Sequence, residues 1–152
     1  MRAGHLLIGL LALCCCYAPP CVAIAAGVPK MTVTSGTQKA AIRRVVQVWQ
    51  DGRVDLVRNF VTQDYVGHTS SGDRKVDGLL KRISDFHKLY PDMKFTVVDQ
   101  IAEGDRVATR MTAVGTSSAT GQRVHLIGLN ISRFVGNRIA EEWPVWEIVP
   151  PN

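Results

Sequence analysis

The chain has 152 residues, 46% of them apolar, with 18 Lys and Arg against 13 Asp and Glu, giving a formal net charge of +5. Surfaces that bind nucleic acid usually gather basic residues into one stripe, whereas here they form short pairs interrupted by acidic residues, which argues against a nucleic-acid partner. All four cysteines lie at or before Cys21, so no disulfide or cysteine metal site is expected in the rest of the chain.

The N-terminal segment has the parts of a secretory signal peptide. Met1 and Arg2 precede an apolar run from Leu6 to Ala18, and an Ala-x-Ala site ends at Ala25. The apolar run is shorter than the roughly 20 residues that a membrane-spanning helix needs. We therefore predict a signal peptide over residues 1–25 and a periplasmic or secreted protein with no stable membrane anchor. An N-terminal anchor that is never cleaved is the alternative.

Three helices are predicted after this segment. Residues 26–36 are rich in Gly, Ser and Thr and are predicted as a flexible lead to a domain over residues 37–152. Apolar residues then recur at helical spacing. They are Ile42, Val45, Val46 and Trp49 in the first helix, Leu56, Val57, Phe60 and Val61 in a short second one, and Leu79, Leu80, Ile83 and Phe86 in the third, over about 76–89. Residues 64–73 are predicted to connect the second and third helices and to form a polar loop.

The period of the pattern changes from 3.6 to 2 after residue 93. Four segments, 94–103, 106–116, 123–135 and 138–148, alternate or run apolar and are separated by turn signals containing glycine. Helices followed by a strand meander predict an α+β domain, with three N-terminal helices packed on a curved four-stranded antiparallel sheet. Such a sheet wrapped over helices leaves a cone with an open end, where pockets form.

Several short motifs together resemble a known family. They are Asp64-Tyr65-Val66-Gly67-His68, Tyr90-Pro91-Asp92-Met93, Glu103-Gly104-Asp105-Arg106-Val107, Gly115-Thr116, Thr120-Gly121 and Ile139-Ala140-Glu141-Glu142-Trp143. Their order and spacing are similar to those of the SnoaL-like polyketide cyclases of the NTF2-like superfamily. The resemblance implies an NTF2-like cone with a cavity for a small hydrophobic or aromatic ligand, a homodimer through the outer sheet face, and ring closure without metal or cofactor.

The chain departs from this family at the positions that transfer protons. The resemblance implies an acid/base aspartate after the Glu-x-Trp element, where this chain has Pro144, which has no ionisable group. It implies a histidine one strand earlier, where this chain has Asn130, which cannot take up a proton at neutral pH. Strand alternation places Glu142, Pro144 and Trp146 on one face, so Glu142 is a substitute carboxylate if that face lines the cavity. An exposed or salt-bridged glutamate is the alternative.

Five further residues are candidates for ligand contact, and four of them have a structural alternative. His68 is a candidate base, or a histidine that fixes its loop. Asn130 is predicted to bind substrate, or to hydrogen-bond the backbone. Arg110 binds a carboxylate or polarises a carbonyl if it points inward, or pairs with Glu142 or Asp99. Tyr65 and Trp146 complete the predicted substrate-binding residues, core packing being the alternative for the tryptophan. No pair of histidines has zinc-site spacing, so no metal is predicted.

Two functions of different class follow. The first is an exported SnoaL-like domain with a small-molecule pocket that lacks the usual aspartate and binds without catalysis. The second is an active, cofactor-independent cyclase, isomerase or lyase that uses Glu142 or His68 on a hydrophobic carbonyl compound.

Overall fold

A computed structural model describes residues 34–150. The predicted signal peptide and most of the predicted flexible lead lie outside these residues. Within the described range, no helix combines the length and apolar character needed to cross a membrane.

Two α-helices and one short 3-10 helix cover one face of the sheet. Helix α1 spans Ser35–Asp51, the 3-10 helix spans Val54–Asn59, and α2 spans Val76–Leu89. Helix α1 begins two residues inside the predicted flexible lead, because the Thr34 side chain accepts a hydrogen bond from the backbone of Thr37 and caps it. It ends at Gly52, whose φ of 65° fits the left-handed cap that glycine favours.

Six strands form one sheet in the order β2-β1-β6-β5-β4-β3. Their bounds are Val61–Thr69 for β1, Gly72–Arg74 for β2, Lys94–Glu103 for β3, Arg106–Thr116 for β4, Arg123–Val135 for β5 and Arg138–Val149 for β6. Strands β3 to β6 form the predicted antiparallel meander, while β1 pairs in parallel with β6. The last strand of the chain therefore lies inside the sheet, between β1 and β5.

The prediction of a four-stranded sheet was wrong by two strands. Residues 61–74 were assigned to the end of the second helix, a connecting segment and a polar loop, whereas they form β1, a turn and β2. Exposed Gln63 and Asp64 interrupt any alternation in β1, and its parallel partner lies far along the chain. Strand formation here depends on that long-range pairing, which local propensity does not predict. The second helix is correspondingly short and of the 3-10 type.

The main core lies between the helices and the inner face of the sheet. Ile83 of α2, Val107 of β4 and Ile139 of β6 are fully buried there. A second cluster around Phe86, Met93, Ala113 and Leu126 lies toward the other end of α2. Between the helices and the middle of β5 and β6, the core is not filled. The space left there is the candidate site.

Candidate functional site

A cavity of about 570 Å³ lies between the inner face of the sheet and the helices. Helices α1 and α2 line one side, β5 and β6 the other, and the turn between β1 and β2 contributes the rim. A volume of this size suits a small organic molecule. Glu142, Pro144 and Trp146 all line it, which confirms that alternate residues of β6 share this face.

Glu142 is the carboxylate at the polar end of the cavity. Its side chain is buried and accepts three hydrogen bonds. The Tyr65 hydroxyl donates to Oε2 at 2.8 Å, the Asn130 Nδ2 amide donates to Oε1 at 2.7 Å, and the Ser132 hydroxyl donates to Oε1 at 3.0 Å. An ionised carboxylate offers about four acceptor positions. One acceptor position on Oε2 is therefore left for a ligand.

A glycine lets Tyr65 reach Glu142 from the neighbouring strand. Gly67 is the register partner of Glu142 in the parallel pair of β1 and β6. A Cβ atom at Gly67 would lie 2.8 Å from the Tyr65 hydroxyl oxygen, closer than real contacts allow. The missing side chain is what gives the phenol its path across β1.

Asn130 and Pro144 stand side by side at the same end of the cavity. They are register partners in β5 and β6, and both line the cavity. The Asn130 amide donates to Glu142 and, at 3.2 Å, to Ser132. Its Oδ1 atom is buried and has no hydrogen-bond partner within residues 34–150. Buried acceptors without a partner are rare in folded proteins, and this oxygen has almost no accessible surface through which a ligand could reach it.

Burial sets the ionisation of the Tyr65 and Glu142 pair. Burial raises the pKa of Glu142 above its ordinary value of 4.5. The hydrogen bonds from Tyr65, Asn130 and Ser132 lower this pKa, but by less than burial raises it. Burial, followed by the charge of Glu142, raises the pKa of Tyr65 well above its ordinary range. Tyr65 therefore stays a hydrogen-bond donor, while Glu142 is poised to exchange a proton nearer neutral pH than an exposed glutamate.

The raised pKa of Glu142 has a measurable effect on stability. A glutamate that is harder to ionise in the folded state contributes stability that is complete below its unfolded pKa and is lost as the pH rises through its folded pKa. We expect the free energy of unfolding of the wild type to fall relative to Glu142→Gln above pH 4.5, by up to about 1.4 kcal/mol per pH unit. Urea titrations of both proteins between pH 4 and 9 measure this difference, because glutamine does not titrate. A constant difference, or one that grows in favour of the wild type with pH, contradicts the raised pKa.

An aromatic wall, formed by Phe86, Tyr90, Phe95 and Trp146, lines the apolar part of the cavity. The ring centroids of Phe95 and Trp146 are 5.9 Å apart in an edge-to-face arrangement. Gly128 of β5 makes room for the indole, since a Cβ atom there would lie 2.4 Å from Trp146. The wall offers the rings on which a flat apolar ligand can stack.

His68 lies outside the cavity. Tyr65, Gly67 and Thr69 of β1 line the cavity, so the intervening His68 points to the opposite face. Its Nδ1 atom lies 2.9 Å from Asp73 Oδ1, and its ring stacks on Trp143 with centroids 4.9 Å apart. These contacts match the alternative in which His68 fixes its loop.

Arg110 also lies outside the cavity. Its Nη2 atom donates to Asp99 Oδ2 at 2.6 Å on the exposed outer face of the sheet. Buried Thr109 and Met111 flank it on the inner side of β4. The structure thus supports the ion-pair alternative, and Arg110 is removed from the candidate site.

The predicted site did not include Ser132, Arg74 or Arg82. Ser132, fully buried, shares its strand face with Asn130, so strand alternation could have identified it. Arg74 and Arg82 line the cavity from β2 and α2. No sequence signal identified Arg74, because β2 itself was not predicted.

Metal ligands do not cluster in the part of the chain that the structure describes. Over residues 34–150, no three His, Cys, Asp or Glu side chains are grouped so as to hold a metal ion.

Comparison with protein-family models identifies one family. The model of the SnoaL-like polyketide cyclases matches residues 39–151. A search of curated protein sequences finds no significant match.

Solved structures with the same NTF2-like α+β fold include the following three proteins. IdmH from Streptomyces antibioticus, a proposed polyketide cyclase, is 28% identical over 72% of this chain and 91% of its own, with a TM-score of 0.66. AclR from Streptomyces galilaeus, a proposed hydroxylase, is 26% identical over 75% of this chain and 91% of its own, with a TM-score of 0.69. A proposed polyketide cyclase from Acidithiobacillus ferrooxidans is 21% identical over 76% and 91%, with a TM-score of 0.66, and shows the fold alone.

Proposed function

Because the chain belongs to the SnoaL-like polyketide cyclase family, we propose that its cavity binds a small hydrophobic or aromatic carbonyl compound on which Glu142 acts as acid and base. The observation that carries this proposal is the buried Glu142 carboxylate, which lines the cavity and has an acceptor position left on Oε2. Buried carboxylates with raised pKa values are common among catalytic acids and bases.

The proposed chemistry is a proton transfer at the carbon next to the carbonyl. Glu142 Oε2 takes the proton, the C–H electron pair becomes the carbon–carbon double bond of the enolate, and the carbonyl π electrons move to oxygen. Returning the proton to carbon gives isomerisation or exchange. Attack of the enolate carbon on a second carbonyl of the same molecule gives ring closure, as the π electrons of that carbonyl move to its oxygen and Glu142 returns the proton to the alkoxide so formed. All atoms and electrons balance between the ligand and Glu142, so the step needs no cofactor.

Solvent deuterium exchange tests this proposal without knowledge of the natural substrate. The probe is 1-tetralone, a two-ring ketone with exchangeable hydrogens at C2. In D₂O near neutral pD, we expect the protein to accelerate loss of the C2 proton signal in NMR spectra above the buffer rate. Exchange at the buffer rate despite measurable binding of 1-tetralone favours a cavity that binds without catalysis.

Binding without catalysis is the alternative function, and one observation favours it. Pro144 occupies the cavity position where the family resemblance implies aspartate, and three donors already hold Glu142. A carboxylate fixed in this way also serves a structural purpose, as the acceptor that satisfies Tyr65, Asn130 and Ser132. The cavity then recognises a ligand and releases it unchanged.

We also propose that two copies pair through the outer face of the sheet. An outer patch, formed by Ile127, Leu129 and Ile131 of β5 with Val145 of β6, carries exposed fractions between 42% and 69%. Leu129 lies at its centre, with Val145 as register partner on one side and Arg110 on the other. Contiguous exposed apolar side chains of this kind mark interaction surfaces.

Leu129→Arg is expected to dissociate this dimer. In a two-fold pair the change brings two like charges into one apolar interface, so we expect the dissociation constant to rise at least about 100-fold. Sedimentation velocity of the wild type and the variant over a range of micromolar concentrations measures it. Val135→Arg, at the end of the same strand and 56% exposed before substitution, is the matched control that should remain dimeric. A monomeric wild type, or a dimeric Leu129→Arg variant, rules out this interface.

A further inference from the structure

Two guanidinium groups at the cavity have no acidic partner in the described chain. Arg74 and Arg82 both line the cavity, yet neither forms an ion pair within residues 34–150. Other arginines, such as Arg53, Arg58 and Arg110, pair with nearby aspartates. Both guanidinium groups are thus available to pair with an anionic group of a ligand.

Arg74 lies at the rim of the cavity, and its charge reaches the polar end. Its aliphatic stem crosses α2 at Gly78, where a Cβ atom would lie 2.8 Å from Arg74 Cγ. Burial and the charge of Glu142 raise the pKa of Tyr65, and the Arg74 guanidinium opposes them. Arg74 is therefore within electrostatic reach of the Tyr65 and Glu142 pair.

Arg82 acts from the aromatic side. Its guanidinium carbon lies 5.8 Å from the centroid of the Phe86 ring, a cation–π distance that holds the group against the aromatic wall. Glu142 and Glu147 are the acidic side chains that line the cavity. With Arg74 and Arg82, the four groups therefore carry one excess positive charge when Glu142 is protonated and balance when it is ionised. The hydroxyls of Ser70 and Ser71 stand on the same rim as Arg74.

We propose that the ligand of this cavity carries a carboxylate, held by Arg74 and Arg82, on an aromatic or otherwise flat apolar body. The planar guanidinium fork matches a carboxylate, and such charged hydrogen bonds are stronger than neutral ones. The negative charge of Glu142 disfavours a carboxylate at its own end, so the acid group points to the rim and the body lies along the aromatic wall. The proposal rests on the proposed function only for placing the ligand carbonyl at Glu142.

Matched acid and ester probes test the anion site by binding alone. The probes are 2-naphthoate and its neutral methyl ester, titrated by calorimetry at low ionic strength and pH 7.5. We expect the wild type to bind the acid at least about tenfold more tightly than the ester. Arg74→Gln with Arg82→Gln should bring the two dissociation constants within about twofold of each other, mainly by weakening the acid.

Two controls separate the anion site from a general effect of charge or folding. Arg43→Gln with Arg44→Gln removes the same charge from exposed positions of α1 outside the cavity and should keep the preference for the acid. Ester binding reports that the double cavity variant is folded. Should that variant not fold, Arg82→Gln alone, at an exposed position of α2, should still lower the acid preference at least about threefold.

The outcomes distinguish this proposal from the proposed catalytic function. Equal binding of acid and ester by the wild type, no binding of the acid, or a preference that survives loss of Arg74 and Arg82 overturns the anion site. None of these results depends on exchange at 1-tetralone. Conversely, Glu142→Gln should keep the acid preference whether or not Glu142 is catalytic, so a failed exchange assay leaves the anion site standing.

Discussion

Glu142→Gln is expected to lower the rate of 1-tetralone exchange at least about 100-fold, the usual contribution of a positioned acid or base. Glutamine keeps the shape of the side chain but cannot accept a proton at neutral pH. Its carbonyl oxygen can still accept from Asn130 and Ser132, and its amide can donate to the Tyr65 hydroxyl oxygen, which also accepts. The fold should therefore survive, as far-UV circular dichroism and thermal melting would report.

Glu141→Gln is the matched control for this substitution. Glu141 is the adjacent residue in β6, points to the opposite face, and accepts a hydrogen bond from Arg133 Nη2 at 2.9 Å. Its loss removes the same charge from the same strand without touching the cavity, so exchange should change less than about threefold. If both variants exchange like the wild type, Glu142 is not the base; if both lose exchange equally, the effect belongs to the strand and not to the cavity carboxylate.

Ile83→Ala is expected to destabilise the protein by about 2–5 kcal/mol, as large-to-small changes in a close-packed core do. Ile83 is fully buried on the inner side of α2, within the main core cluster. The substitution leaves a cavity that the surrounding helix and strands fill only in part. Chemical denaturation monitored by tryptophan fluorescence measures the loss as a lower midpoint with an unchanged slope.

The control for Ile83 is the same change at an exposed isoleucine. Ile101 on edge strand β3 is 72% exposed, so Ile101→Ala should shift stability by less than about 0.5 kcal/mol. Equal losses at the two positions would mean that α2 does not pack on the sheet as described. If Ile101→Ala has the expected small effect and Ile83→Ala also lowers the free energy of unfolding only slightly, the core beneath α2 is loosely packed.

The cavity has a carboxylate two residues before the position at which the family resemblance implies one. Pro144 lies where the family resemblance implies aspartate, but residues two apart on a strand share a face. Glu142 therefore reaches the same cavity from one strand step away, and its longer side chain meets Tyr65 and Asn130. Because Pro144 has no backbone N–H, β6 lacks one hydrogen-bond donor there. The residue opposite Pro144 in β5 is Asn130, whose side chain donates to Glu142.

Local pattern determined much of the fold. Helix α2 and strands β3 to β5 have the predicted bounds, and β6 extends one residue further, because helical and strand periods are properties of the chain itself. The same two-residue period placed Glu142, Pro144 and Trp146 on one face of β6, and Asn130 with Ser132 on one face of β5. The register of the two strands puts both sets on the same side of the sheet. The period could also have turned Arg110 outward, since Val107, Thr109 and Met111 mark the inner side of β4.

Tertiary structure alone decided which faces meet. Tyr65 and Glu142 are 77 residues apart, and their contact exists only because β1 pairs in parallel with β6. Without that pairing β1 had no predictable inner side, so His68 and Tyr65 could not be assigned to opposite faces, and Arg74 could not be placed at the cavity. Sequence periodicity fixes the side of an element on which a residue lies, but the packing of distant elements fixes what that side contacts.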